Sequence, residues 1–192
     1  MRKILVAAVA MMFMAPVAHA AGEHDAAIRK LVDRTFKVWT SDPALINAIR
    51  SQNAANTGLT QSDIDALDKT WRAETKASAK PMIDEMLGRP VSKKLLGYEN
   101  AGEGLFTEIF VMDNLGLNVA QSDATSDYWQ GDEAKWKKTF LVGPDAVFID
   151  DVEFDESTQT FQAQVSLAIA DPDDGAVIGA ITIGINVELL SE

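Results

Sequence analysis

The sequence predicts an α+β protein, with helices in its first half and an antiparallel sheet in its second. Two patterns carry this. Before residue 88 the apolar residues recur at helical spacing, as in Ile28, Leu31, Val32, Phe36 and Trp39. Beyond residue 105 they follow strand periodicity instead: Phe161, Ala163, Val165, Leu167 and Ile169 alternate with Gln162, Gln164 and Ser166.

"DAAIRKLVDRTFKVWTSDP" reads as the first helix, ended by Asp42-Pro43, where Pro43 can also open the next helix because proline fits a first turn. "PALINAIRSQNAAN" is that second helix, with Leu45, Ile46 and Ile49 on one side. Thr60 caps "TQSDIDALDKTWRAETKASA", whose apolar face is Ile64, Leu67 and Trp71. Lys80-Pro81 starts "PMIDEMLGRP", and residues 88–104, rich in glycine, read as a connector. "LFTEIFVMDNLGLNVAQS" reads as a hairpin turning at Asp113-Asn114-Leu115-Gly116. Three more strands follow the aromatic stretch "SDYWQGDEAKW". "AVFIDDVEF" turns at "DESTQ" into "TFQAQVSLAIA", which turns at "DPDDG" into "AVIGAITIGINVELL". The last is apolar at nearly every position, as a strand covered on both faces should be. One covering layer is then the N-terminal helices and the other is residues 122–143.

The first 20 residues stand apart. Arg2 and Lys3 precede an apolar run from Ile4 to Met14, and Ala18-His19-Ala20 offers small residues at cleavage-reading positions. The run is shorter than the ~20 residues needed to span a bilayer. It reads as a secretory signal peptide cleaved near Ala20, and its character points to the bacterial periplasm. The expected organisation is 1–20 signal peptide, 21–104 helical segment and 105–192 sheet segment, the last two forming one structural domain.

The formal charge is −12, and −14 once Arg2 and Lys3 are removed. A surface so negative repels phosphate backbones and anionic lipid, which argues against nucleic-acid and peripheral membrane partners. There is no cysteine. Stability therefore has to come from the core, and thiolate catalysis and thiolate metal sites are excluded. The two histidines are His19, inside the signal, and His24 beside the new N-terminus, which leaves little for a Ser-His-Asp triad. "DPDDG" has three acids but lacks the spacing of a calcium loop. No enzyme activity, cofactor or metal is expected.

Three motifs in this order resemble the Cache family of extracytoplasmic sensor domains, which are PAS-like in fold. They are the hairpin "FVMDNLGLNVAQS", the segment "SDYWQGDEAKW", and the closing strand pair "SLAIADPDDGAVIGAITIGINVELL". The resemblance runs from about Leu105 to the C-terminus. It implies a five-stranded antiparallel sheet in the order 2-1-5-4-3, with a ligand pocket between the sheet and the segment joining strands two and three. It also implies a small polar ligand such as an amino acid, carboxylate or amine. Cache domains usually continue through a membrane helix into a signalling module. Here the chain stops at Glu192 after the last strand, so the expectation is a free-standing member that signals through a membrane receptor or kinase partner.

The candidate ligand-binding residues follow. Tyr128 and Trp129 offer stacking area and orienting hydrogen bonds as a lid, with Trp136 two helical turns beyond Trp129 on the same side. The same rings could instead plug the core between helix and sheet. Gln162, Gln164 and Ser166 are candidates for the pocket floor, or ordinary exterior residues if their face is open. Asp127, Asp150 and Asp151 could receive an ammonium group, Asp150 and Asp151 also fitting a solvated turn. The competing function is an envelope protein-interaction or accessory domain without a metabolite; a hydrolase using paired carboxylates is a more remote third.

Overall fold

The computed structural model describes residues 22, 24–155 and 159–190. The proposed signal peptide, and residues 156–158 of the "DESTQ" turn, lie outside the described residues. Among the described residues no helix is long and apolar enough to cross a membrane.

The N-terminal stripe forms a continuous run of helix: α1 (Asp25–Leu31), a π turn (Val32–Phe36) and α2 (Lys37–Thr40). Ile28, Val32 and Phe36 are spaced by four, which drifts around a regular α-helix. The wider π turn takes up that drift, and all three are buried. Asp42 caps α3 (Pro43–Ala55) by accepting from the Ala44 amide at 2.8 Å, and Leu45, Ile46 and Ile49 are buried as their pattern requires. α4 (Gln61–Glu74) opens with a reciprocal Thr60–Asp63 capping box. Its last residue, Glu74, accepts from the Met82 and Ile83 amides at 2.8 and 3.1 Å, capping α5 (Pro81–Gly88) from outside.

The expected connector at 88–104 is instead largely a helix, α6 (Pro90–Ala101). Val91, Leu95 and Tyr98 form a stripe that packs into the main core. The helix runs through Gly97. The stripe outweighs the glycine penalty of about 1 kcal/mol.

The sheet contains β1 (Phe106–Met112), β2 (Asn118–Gln121), β3 (Val147–Ile149), β4 (Glu153–Asp155), β5 (Thr160–Ala170) and β6 (Val177–Asn186), all antiparallel. Its order is β2-β1-β6-β5-β3, with β4 also on β5. β3 and β4 are two pieces of one expected strand, interrupted at 150–152. Counted as one, they give the order 2-1-5-4-3 and a PAS-like α+β fold. At the β1–β2 turn, Asp113 Oδ1 accepts from the Leu115 and Leu117 amides at 2.8 and 2.9 Å, and Gly116 takes φ +80°, a region that favours glycine.

One face of the sheet presents Ile109, Val111, Val165, Leu167, Ile181 and Ile183 to α1, α3 and α6. This is the main core. A second core lies at the hairpin end, where Ile64, Trp71, Ile83 and Met86 of α4 and α5 meet Leu117 and Tyr128. The other sheet face is covered only in part, by Trp136 of α7 (Ala134–Lys137) on Phe110, Met112 and Ala180.

Candidate functional site

The segment between β2 and β3 divides into a strap and a cover. The strap, residues 127–130, is fastened to α4 and the hairpin. Asp68 accepts the Tyr128 and Trp129 amides at 2.9 and 3.1 Å, and Arg72 pairs with Asp127 at 2.5 Å. The Gln130 amide donates to the Gly116 carbonyl at 2.7 Å, and the Asn118 amide to that of Tyr128 at 3.0 Å. Tyr128 stacks on Trp71 with centroids 5.5 Å apart, while Trp129 Nε1 donates to the Leu115 carbonyl at 2.9 Å. Burial pushes the Tyr128 hydroxyl up to about 12.

The two rings of the expected lid do not line the cavity beside Gln162 and Gln164, although Tyr128 lines another, of about 400 Å³, with Gln52, Arg89 and Val119. Tyr128 and Trp129 stand over the second core and not over the sheet face, because Asp68 and Arg72 of α4 claim the backbone and the acid beside them. Asp127 is likewise engaged by Arg72. Trp136 does lie on the sheet face, as core: its Nε1 donates to the Asp113 carbonyl at 3.1 Å and its ring stacks on Phe140 at 4.7 Å.

Beyond Trp136 the sheet face turns polar, and the region holds a cavity of about 240 Å³. Gln162 and Gln164 of β5 line it, as do Asp151 and Asp150 from the β3–β4 break, Glu133 and Lys135 from the covering segment, and Glu153. Ser166 shares the face but is fully buried, its hydroxyl 2.9 Å from that of Thr182.

Glu108 adjoins the two amides and was not singled out from the sequence. It shares a β1 face with Phe110 and Met112, and an acid at an alternating position of an otherwise apolar strand was the available signal. Glu108 of β1 and Gln164 of β5 both pair with Gly184 of the intervening β6. With no side chain at 184, they meet across the strand: Gln164 Nε2 donates to Glu108 Oε1 at 2.7 Å. Thr107 Oγ1 donates to Gln162 Oε1 at 2.6 Å over the same strand. Burial pushes the Glu108 carboxyl above its ordinary range; the Gln164 amide and the Lys135 charge pull it back, and Asp155 adds to the rise.

The groove's charge is lopsided. Lys135 is held by Glu133 at 2.9 Å and lies 5.4 Å from the centre of the Phe110 ring. That leaves Asp150, Asp151 and Glu153 on the cavity wall without a second lysine or arginine among the described residues, and the Glu108 carboxylate lies behind the Gln162 and Gln164 amides. Such a wall can bind an ammonium group through carboxylates and orient the rest of a ligand through the Gln162 and Gln164 amides. Among the described residues no group of three or more acids or histidines is placed to hold a metal ion.

No protein-family model matches this chain, and no curated protein does. Solved structures similar to it include the sensor domain of the V. cholerae histidine kinase DctB. That match has 10% identity and a TM-score of 0.44, covering 86% of this chain and 55% of that one. Another is the ligand-binding domain of the Campylobacter jejuni chemoreceptor Tlp3 in complex with 4-methylisoleucine, at 16% identity and a TM-score of 0.40, covering 87% and 61%. One is the sensor domain of a histidine kinase and the other the ligand-binding domain of a chemoreceptor. This chain spans less than two thirds of the length of either.

Proposed function

We propose that this protein is a periplasmic small-molecule binding module of Cache type whose ligand is a small polar metabolite carrying an ammonium group, an amine or amino acid in preference to a simple carboxylate. Its signal passes through a membrane-bound partner. The observation that carries the reading is the groove between β5 and the covering segment, with carboxylates in excess and its lysine already paired. That the groove lies between β5 and the segment joining β2 to β3 supports the reading. Gln162, Gln164 and Asp151 contact the ligand, together with Glu108; Tyr128, Trp129, Trp136 and Asp127 hold the surrounding structure.

The test is thermal unfolding of the purified protein against amines, amino acids and dicarboxylates. A ligand at 100 times its Kd adds about 2.7 kcal/mol, and each kcal/mol raises Tm by about 2–4 °C in a chain of this size. Amines or amino acids should give shifts of that order, and the shift should be lost in Glu108→Gln. Stabilisation by dicarboxylates alone, or by nothing in the panel, overturns the reading.

A further inference from the structure

A second cleft lies at the other end of β5, where the sheet edge is unfinished. The β3 ladder ends at the Val147–Leu167 pair. One further bond follows, from the Ala168 amide to the Ala146 carbonyl at 3.1 Å, while the Ala146 amide turns back to the Gly143 carbonyl at 3.1 Å. On the inner edge, the Asp171 amide donates to the Ala176 carbonyl at 2.7 Å. Backbone groups alternate sides along an antiparallel strand. Ala170 therefore points outward, as Ala168 does, and among the described residues no strand lies beside it. The Ala168 carbonyl and the amide and carbonyl of Ala170 form an open strand edge.

That edge faces a cleft of about 460 Å³ whose walls include Pro43 and Ile46 of α3, Pro144 and Pro172. Side chains along the edge are small and uncharged, so the usual protection of an exposed edge by lysine is missing. The rim is acidic. Arg50 is engaged by Asp171 and by Asp173, the latter at 2.6 Å, so two acids meet one base there.

We propose that this cleft is a docking site for an extended peptide segment of a partner protein. The segment adds as a short strand beside Ala168–Ala170. A small apolar side chain packs against Ile46 and Pro43, and a basic residue faces the acidic rim. The hydrogen-bonding groups on offer, carbonyl, amide and carbonyl at strand spacing, match a peptide backbone. Nothing in the ligand groove is needed for this contact.

The experiment is selection of a random peptide library, displayed on phage, against the full purified chain, followed by affinity measurement on synthetic copies of the enriched peptides. Enriched peptides should alternate small apolar residues and carry at least one Lys or Arg. Ala170→Pro removes the outward N–H at an edge position that tolerates proline; it should weaken binding at least tenfold, and Ala170→Ser should not. N-methylating alternate amides of the peptide reads the same bonds without altering the protein: one register should lose at least tenfold and the other should bind normally. Asp173→Lys should weaken the basic peptides. No enrichment, or enriched peptides indifferent to both Ala170→Pro and N-methylation in either register, overturns the proposal.

Discussion

Replacing Asp113 by alanine tests whether the hairpin and α3 are held together through one carboxylate. Asp113 is fully buried. Its Oδ1 accepts the Leu115 and Leu117 amides, and its Oδ2 accepts Gln52 Nε2 at 3.0 Å and Asn56 Nδ2 at 2.8 Å. Alanine strands four donors. The Gln52 amide keeps the Asn118 carbonyl at 3.1 Å, and the Asn56 amide can turn towards solvent. The two backbone amides have no such escape. A buried donor left unpaired costs about 1–3 kcal/mol, so the pair alone gives about 2–6 and the expected loss is about 4 kcal/mol. That is a large part of the roughly 5–15 kcal/mol that holds a typical domain together. Asp113→Asn keeps Oδ1 for the turn but sets an NH₂ against two donors, so about half the loss is expected. Urea titration should show a lowered midpoint at unchanged m. A loss below ~1 kcal/mol for alanine, or asparagine worse than alanine, would refute the reasoning.

Three further outcomes are expected. Tyr128→Ala should cost about 3–5 kcal/mol by opening the second core, while the folded fraction keeps its ligand affinity; calorimetric titration showing a large affinity loss would return Tyr128 to the binding site. Ligand affinity should fall as pH drops through the raised Glu108 value, because the protonated carboxyl no longer attracts a cation, and Glu108→Gln should flatten the profile. The stability term has the opposite sense: the folded carboxyl holds its proton more tightly than the unfolded one, so its contribution is full at low pH and is lost as pH rises from the ordinary carboxylate range through the raised value. Gly184→Ala would put a Cβ 2.2 Å from Thr107 Oγ1 and 2.8 Å from Glu108 Cγ; these side chains must swing away, costing about 1–2 kcal/mol and weakening ligand binding well beyond that loss of stability.

The fold was legible wherever one periodicity ran long enough. The stripes of α1 and α3, the alternation of β5 and the apolar run of β6 each have a single reading. α6 was obscured because Gly97 within it and Gly88, Gly102 and Gly104 around it mimic a connector, while its stripe of Val91, Leu95 and Tyr98 is only three residues long. The site was harder to read, since an aromatic motif says that a surface will be buried without saying against what. Tyr128 and Trp129 are claimed by Asp68 and Arg72, some 60 positions away in the chain, and no local pattern announces that pairing. Gln162 and Gln164 stood out because a polar face on a covered strand requires partners, and they line a cavity together with Asp151.

The polar groove and the aromatic strap are nevertheless coupled by one geometrical fact. β6 lies between β1 and β5, and opposite Glu108 it carries glycine. Filling that position would separate Glu108 from Gln164 and leave a buried acid unmatched by amides. The covering segment cannot descend to take their place, because the strap fixes it at residues 127–130 and Trp136 fixes it again on Phe110. The cover therefore crosses the face while anchored on its β1 side, and the cavity falls on the β5 side, next to the 150–152 break between β3 and β4. The rings that drew attention in the sequence thus act on the groove at a distance, by setting where the chain above it can lie.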